Sequence, residues 1–199
     1  MDQQDQLRDR VRDHLLRSVE VQRQAAKECA DHAVAAARLI AACFASGGKL
    51  MLCGNGGSAA DAQHVAAEFV SRLSSEFERP GLPALALTTD TSFLTAYAND
   101  YSFDGVFARQ VQALGKPGDV LVGISTSGSS RNVLLAMEAA KAGSIKTIGL
   151  TRDGGKIAEQ ADVAITVPSD DTQHLQEAHL ALEHAICDLV ERLLYPQKT

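Results

Sequence analysis

His64 and Glu68, four residues apart, are the pair in this 199-residue chain best spaced for proton transfer or metal ligation. On a helix they lie about 6 Å apart along the axis and about 40° apart around it, so they share one face. They follow Cys53-Gly-Asn-Gly-Gly-Ser58, which itself follows the apolar run Leu50-Met51-Leu52. A strand, a glycine turn and a helix start in that order make an anion site. The glycines let backbone approach a ligand, and the free amides of the first helical turn point at it. Asn55, Gly56 and Gly57 form that turn. Taken alone, His64 and Glu68 read equally well as partners on a solvated helix face.

A second loop, Ile124-Ser-Thr-Ser-Gly-Ser-Ser130, also follows an apolar run and precedes a helical pattern. It packs the hydroxyls of Ser125, Thr126, Ser127, Ser129 and Ser130 around Gly128. A serine-rich helix cap is the plain reading, but a cap needs one hydroxyl. Five suit the oxygens of a phosphate monoester. Gly54 to Ala59 also fits G-x-G-x-x-A, but a dinucleotide fold wants an acid about 20 residues past the glycines. Here the second strand closes only near Asp90. No G-x-x-x-x-G-K-[ST] is present.

The elements that position these loops are legible from periodicity. Residues 3–46 hold neither proline nor glycine, and Leu7, Val11, Leu15 and Val19 recur every four residues. Two helices are expected, broken between Lys27 and Asp31. From Lys49 strands and helices alternate. Strands are expected at 49–53, 84–88, 119–124, 146–151 and 162–167. Helices are expected at 58–73, 92–98, 103–114, 130–142, 156–160 and 172–194. Short apolar strands separated by helices predict an α/β fold, a doubly wound five-stranded parallel sheet with flavodoxin-like layers and an N-terminal helical arm. Residues 1–47 form the arm and 48–199 the α/β domain. In such sheets ligands sit at the carboxyl ends of the strands, so both loops can face one pocket.

Composition narrows the function. Net charge is −6 and no basic run is present, which argues against nucleic acid as a partner. The N-terminus is charged, without the apolar core of a signal peptide, and no apolar stretch is long enough to span a bilayer. Cys29, Cys43, Cys53 and Cys187 show no metal spacing and read as reduced, buried thiols of a cytoplasmic protein.

The chain resembles the sugar isomerase (SIS) domain family, and within it the bacterial phosphoheptose isomerase branch. The residues that carry the resemblance are Cys53 to Ser58, Asp61-Ala-Gln-His64 with Glu68 and Arg72, Arg79 to Pro83, Asn99-Asp100, Gly118 to Gly128, Asp153 to Gly155, Val167-Pro168, and Gln176-Glu177 with His184. The resemblance implies interconversion of sedoheptulose 7-phosphate and D-glycero-D-manno-heptose 7-phosphate, the first step of nucleotide-activated heptose biosynthesis for lipopolysaccharide. It implies that Ser125, Thr126, Ser127 and Ser130 hold the phosphate, and that Asn55, Gly56, Gly57, Asn99 and Asp100 line the sugar site. It implies one zinc ion per subunit on His64, Glu68, Gln176 and His184, with Glu68 and His184 as the proton-transfer residues. A homotetramer with sites at subunit interfaces is implied too.

An alternative is a non-catalytic regulator, because the initiator-associating proteins of bacterial replication share the fold and the serine loop. They lack the acid and the histidine that stand here as Glu68 and His184. Gln176 and His184 are eight residues apart, about 12 Å of rise and about 80° of rotation. One of them is therefore expected to reach a neighbouring chain's site, or the helix to be distorted. His174 and His179 remain ligand candidates by type. Arg72 is expected to meet Glu68 or a substrate oxygen. Asp61 is expected to favour the helix N-terminus or to orient His64.

Overall fold

The structure is a computed structural model that describes residues 2–196. Five parallel strands, β1 (Leu50–Cys53), β2 (Ala84–Ala86), β3 (Val120–Ser125), β4 (Lys146–Arg152) and β5 (Val163–Val167), form one sheet in the order β2-β1-β3-β4-β5. Successive residues of β1 feed opposite faces. Leu50 and Leu52 join one apolar cluster, and Met51 and Cys53 the other. In β3, Val120, Val122 and Ile124 oppose Leu121 in the same way. Both faces are thus apolar and both are covered, which is the doubly wound fold expected from the sequence.

One face carries α1 (Gln3–Glu28), α2 (Ala30–Ala45), α3 (Gly57–Val70) and α8 (Thr172–Leu194). The other carries α4 (Thr91–Asp100), α5 (Val106–Leu114), α6 (Arg131–Ala142) and α7 (Lys156–Gln160). The first two helices break at Cys29, inside the expected interval. Helix α2 buries Ala33, Ala36, Ala37, Ile40, Ala41, Cys43 and Phe44, whereas α1 buries only Ser18 and Ala25. The expected helix over 103–114 begins as a 3-10 turn, Phe103–Gly105, before α5.

Helix α3 stops at Val70, three residues before the expected end, because another residue takes its last carbonyls. The buried Arg79 guanidinium donates to the carbonyl oxygens of Glu68 (2.8 Å), Phe69 (2.7 Å) and Ser71 (3.1 Å). These groups would otherwise lack partners at a helix C-terminus. Arg79 Nε also donates to Glu191 Oε1 on α8 at 2.8 Å, and the Leu73 amide donates to the same oxygen at 3.3 Å. Both charged side chains are almost fully buried, 1% and 3% exposed.

All four cysteines are free and buried. Burial pushes the thiols of Cys29 and Cys43 up to about 11 and that of Cys53 up to about 12.

Glu191→Ala leaves a buried guanidinium without its counter-ion. The expected loss is about 3–5 kcal/mol, read as a lower denaturant midpoint at unchanged m-value. A loss below about 1 kcal/mol would show that this pair does not fasten α3 to α8.

Candidate active site

The glycine turn leaves β1 and opens α3. Gly56 adopts φ +57°, the left-handed region that favours glycine. A Cβ at Gly57 would sit 2.4 Å from Gln176 Nε2, so a glycine there lets the Gln176 amide rest on the backbone. Asn55 and Asn132 exchange amides, Asn55 Nδ2 donating to Asn132 Oδ1 at 2.9 Å and Asn132 Nδ2 to Asn55 Oδ1 at 2.8 Å. This ties the glycine turn to the first turn of α6. Asn132 is buried, and sequence reasoning missed it. Its only signal was an amide two residues past the serine loop.

The serine loop lies at the end of β3, beside β1 in the sheet. It is therefore at the switch point of the 2-1-3-4-5 strand order, where such folds bind ligands. Ser125 Oγ lies 2.8 Å from Ser130 Oγ and 3.2 Å from Ser127 Oγ. Thr126 is half-buried beside them. Ser130 is the N-cap residue of α6, yet its side chain makes no capping hydrogen bond. The hydroxyls converge on one another instead of satisfying the helix, which favours an anion site over a cap.

The acid–histidine set gathers between α3 and α8 of one chain. His64 Nε2 is 2.7 Å from His184 Nε2 and 3.6 Å from Glu68 Oε1. Gln176 meets Gly57, His184 meets His64, and Glu191 meets the segment just past the end of α3. The two helices thus run parallel and in step. Helix α8 is continuous from Thr172 to Leu194, and both Gln176 and His184 face α3 of their own chain. The expected reach to another chain, or distortion, is not needed to bring His184 to His64.

Other expectations change. Arg72 pairs with Glu78 at 2.7 Å rather than with Glu68, because α3 has already ended. Asp61 makes no hydrogen bond to His64. Its Oδ2 is buried without a partner, as are both carboxylate oxygens of Glu183 on α8. Burial, then the charge of Asp61, push the Glu183 carboxyl up to about 8. His179 is buried with Nε2 3.4 Å from the Thr151 carbonyl oxygen, and burial pushes it down to about 4, so it stays neutral. Asn99 and Asp100 bond to each other at the exposed end of α4. No hydrogen bond ties them to either loop among the described residues.

The donor types fit a zinc-class ion: two imidazole nitrogens and a carboxylate. Ligands on such an ion stand about 3.3 Å apart, close to the separations at His64. The amide of Gln176 lies further towards the start of α3, against Gly57. Among the described residues, three groups able to hold a metal come within 4.8 Å of one another at His14, His174 and Glu177 instead.

Comparison with known proteins gives a consistent picture. The SIS domain family model matches residues 15–152. The phosphoheptose isomerase of Roseiflexus sp. is 52% identical over 188 residues, covering 94% of this chain and 94% of its own. That of Thiobacillus denitrificans is 55% identical over 192 residues, covering 94% and 96%. The solved phosphoheptose isomerase of Neisseria gonorrhoeae matches with a TM-score of 0.87 at 49% identity, over 92% of this chain and 98% of its own.

Asn132→Ala frees Asn55 and should loosen the glycine turn without emptying the core. The expected result is a rise of about tenfold in the half-saturating concentration of a phosphate-ester ligand, with a stability loss near 1–3 kcal/mol. Unchanged binding would show that the amide pair does not set the loop.

Proposed function

The chain belongs to the SIS domain family, beside its phosphoheptose isomerases, and from that premise we propose how its residues carry out the reaction. It is an aldose–ketose isomerase that interconverts sedoheptulose 7-phosphate and D-glycero-D-manno-heptose 7-phosphate. The observation that carries the proposed residue roles is the meeting of His64, Glu68 and His184 on one seam, whose α3 end begins at the glycine turn.

Ser125, Thr126, Ser127 and Ser130, with the free amides of α6, grip the phosphate. Asn55, Gly56, Gly57 and Gln176 hold the sugar, and Asn99 and Asp100 close over it from the end of α4. Gripping the non-reacting end turns remote binding energy into orientation of the reacting one. His64 stands about 10 Å along α3 from Gly57, on the order of an extended sugar phosphate's length.

The Glu68 carboxylate takes a proton from C1 of the ketose and returns it to C2. His184 moves the hydroxyl proton from O1 to O2, so the enediol collapses to the aldehyde. Zinc held by His64, Glu68, Gln176 and His184 would polarise the carbonyl and stabilise enediolate charge. The retained acid and histidine favour catalysis over a purely regulatory role.

A homotetramer with sites at subunit interfaces, in the cytoplasm, completes the proposal. The apolar stripe Leu7, Val11, Leu15 and Val19 is half or more exposed in the single chain, as a buried interface would leave it. The His64 side chain is 41% exposed, which leaves room for a second chain to cover it. The free, buried thiols suit a reducing compartment.

Sedoheptulose 7-phosphate incubated with the pure protein should give the aldose heptose phosphate. No interconversion, even with zinc supplied, would overturn the assignment. Glu68→Gln should lower kcat by about 10²–10⁴-fold while ligand binding persists; retained turnover would remove Glu68 as the base. Leu15→Glu should shift the mass in light scattering towards smaller species, and an unchanged mass would exclude the stripe as the interface.

A further inference from the structure

A second cluster of ligand-type side chains lies on another side of the same turn of α8. His14 comes from α1, and His174 and Glu177 from the start of α8. Glu177 Oε1 is 3.0 Å from His14 Nε2, and Glu177 Oε2 is 3.1 Å from His174 Nδ1. The two imidazole rings are 4.5 Å apart between centroids, tilted by 46°. Gln176 and Glu177 are neighbours in sequence, but successive helical residues point about 100° apart. Gln176 therefore serves α3 and Glu177 serves α1.

We propose that His14, His174 and Glu177 form a second metal site, separate from the reacting groups, that takes a zinc-class divalent ion and clips the N-terminal helix to α8. Two imidazole nitrogens and one carboxylate select zinc, cobalt or nickel over magnesium or calcium, which prefer all-oxygen shells. Two of the three ligands have a supporting partner. Asp171 Oδ2 lies 3.9 Å from the far nitrogen of His174, and the Ser18 hydroxyl bonds to Glu177. Carboxylates and hydroxyls behind ligands fix ring tautomer and orientation at metal sites.

His174 is 3% exposed, while the side chains of His14 and Glu177 are about one-third exposed. The cluster is thus anchored on one side and open on the other, where an ion can arrive and keep a water. The clip acts where α1 most needs it. That helix buries only Ser18 and Ala25, and His14 stands one turn before Ser18.

The test compares demetallated wild type and His14→Ala by equilibrium dialysis with zinc, and follows heat stability and turnover. The expected result is one fewer zinc per chain in His14→Ala, a smaller rise in Tm on adding zinc, and turnover within about twofold. Equal stoichiometry in the two proteins would overturn the proposal and leave a plain hydrogen-bonded His–Glu–His cluster. A second arm adds cobalt to His64→Ala/His184→Ala, which lacks the reactive pair. Cobalt absorption should persist there and vanish when His14→Ala is added. A folded double variant with no cobalt absorption would also overturn the proposal; should that variant fail to fold, the dialysis comparison decides. Loss of zinc only in the His64/His184 variant would likewise overturn the proposal, because His14→Ala would then keep the wild-type count.

Discussion

The parallel seam between α3 and α8, closed at its far end by the buried Arg79–Glu191 pair, sets the register of the candidate site. Arg79 binds the last carbonyls of α3 and Glu191 at once, so it fixes both where α3 ends and which turn of α8 lies beside that end. Helices in step at one point stay in step along a straight seam. Seven residues back from Glu191 stands His184, beside His64, and eight further back Gln176 lies on Gly57. A buried ion pair is weak support for net stability, because desolvation offsets much of the attraction. Its use here is register: a slip of one turn would strand a buried guanidinium and part the two histidines together.

The same seam explains an otherwise costly feature. Asp61 and Glu183 bring carboxyl oxygens into the interior without hydrogen-bond partners. Two charged carboxylates there would repel each other and α3 from α8. Burial and the charge of Asp61 keep Glu183 largely protonated at neutral pH, which removes that repulsion. His64 and His184 are held above a seam that carries acid groups yet little net charge.

Much of this was legible in the sequence, for physical reasons that differ by residue. The limits of α7 and α8 follow from proline, glycine and capping residues; Asp171, for example, caps α8 by accepting from the Gln173 amide. The sheet was readable because β1 is apolar at every position and β3 is apolar over Val120–Val122 and at Ile124. The end of α3 was not readable, because it depends on Glu191, 112 positions away from Arg79. Arg72 was expected at Glu68 or a substrate oxygen from helical spacing, but α3 ends at Val70, two residues before it. Asn132 was missed because a single amide in a helix start carries no pattern. The span from Gln176 to His184 was legible as well: the two side chains meet α3 at different turns, at Gly57 and at His64. The partner helix covers the same span, so both side chains find α3 without stretching towards each other.

That matched span bears on how the site divides its work. The serine loop and the glycine turn lie together at the carboxyl ends of β3 and β1, stitched by the Asn55–Asn132 pair. The acid and histidines lie about two turns down α3. A site of this length is best filled by an extended ligand held at one end and worked on at the other. The loop end is braced by buried contacts, with Ser125 and Asn132 both inside the fold. The histidine end is half open, with the His64 side chain 41% exposed. Proton transfer from carbon requires exclusion of water around the enediol. A single chain meets the first demand, rigid grip, and leaves the second to whatever covers α3 and α8. The exposed apolar stripe on α1 is a surface of the kind that a subunit interface buries.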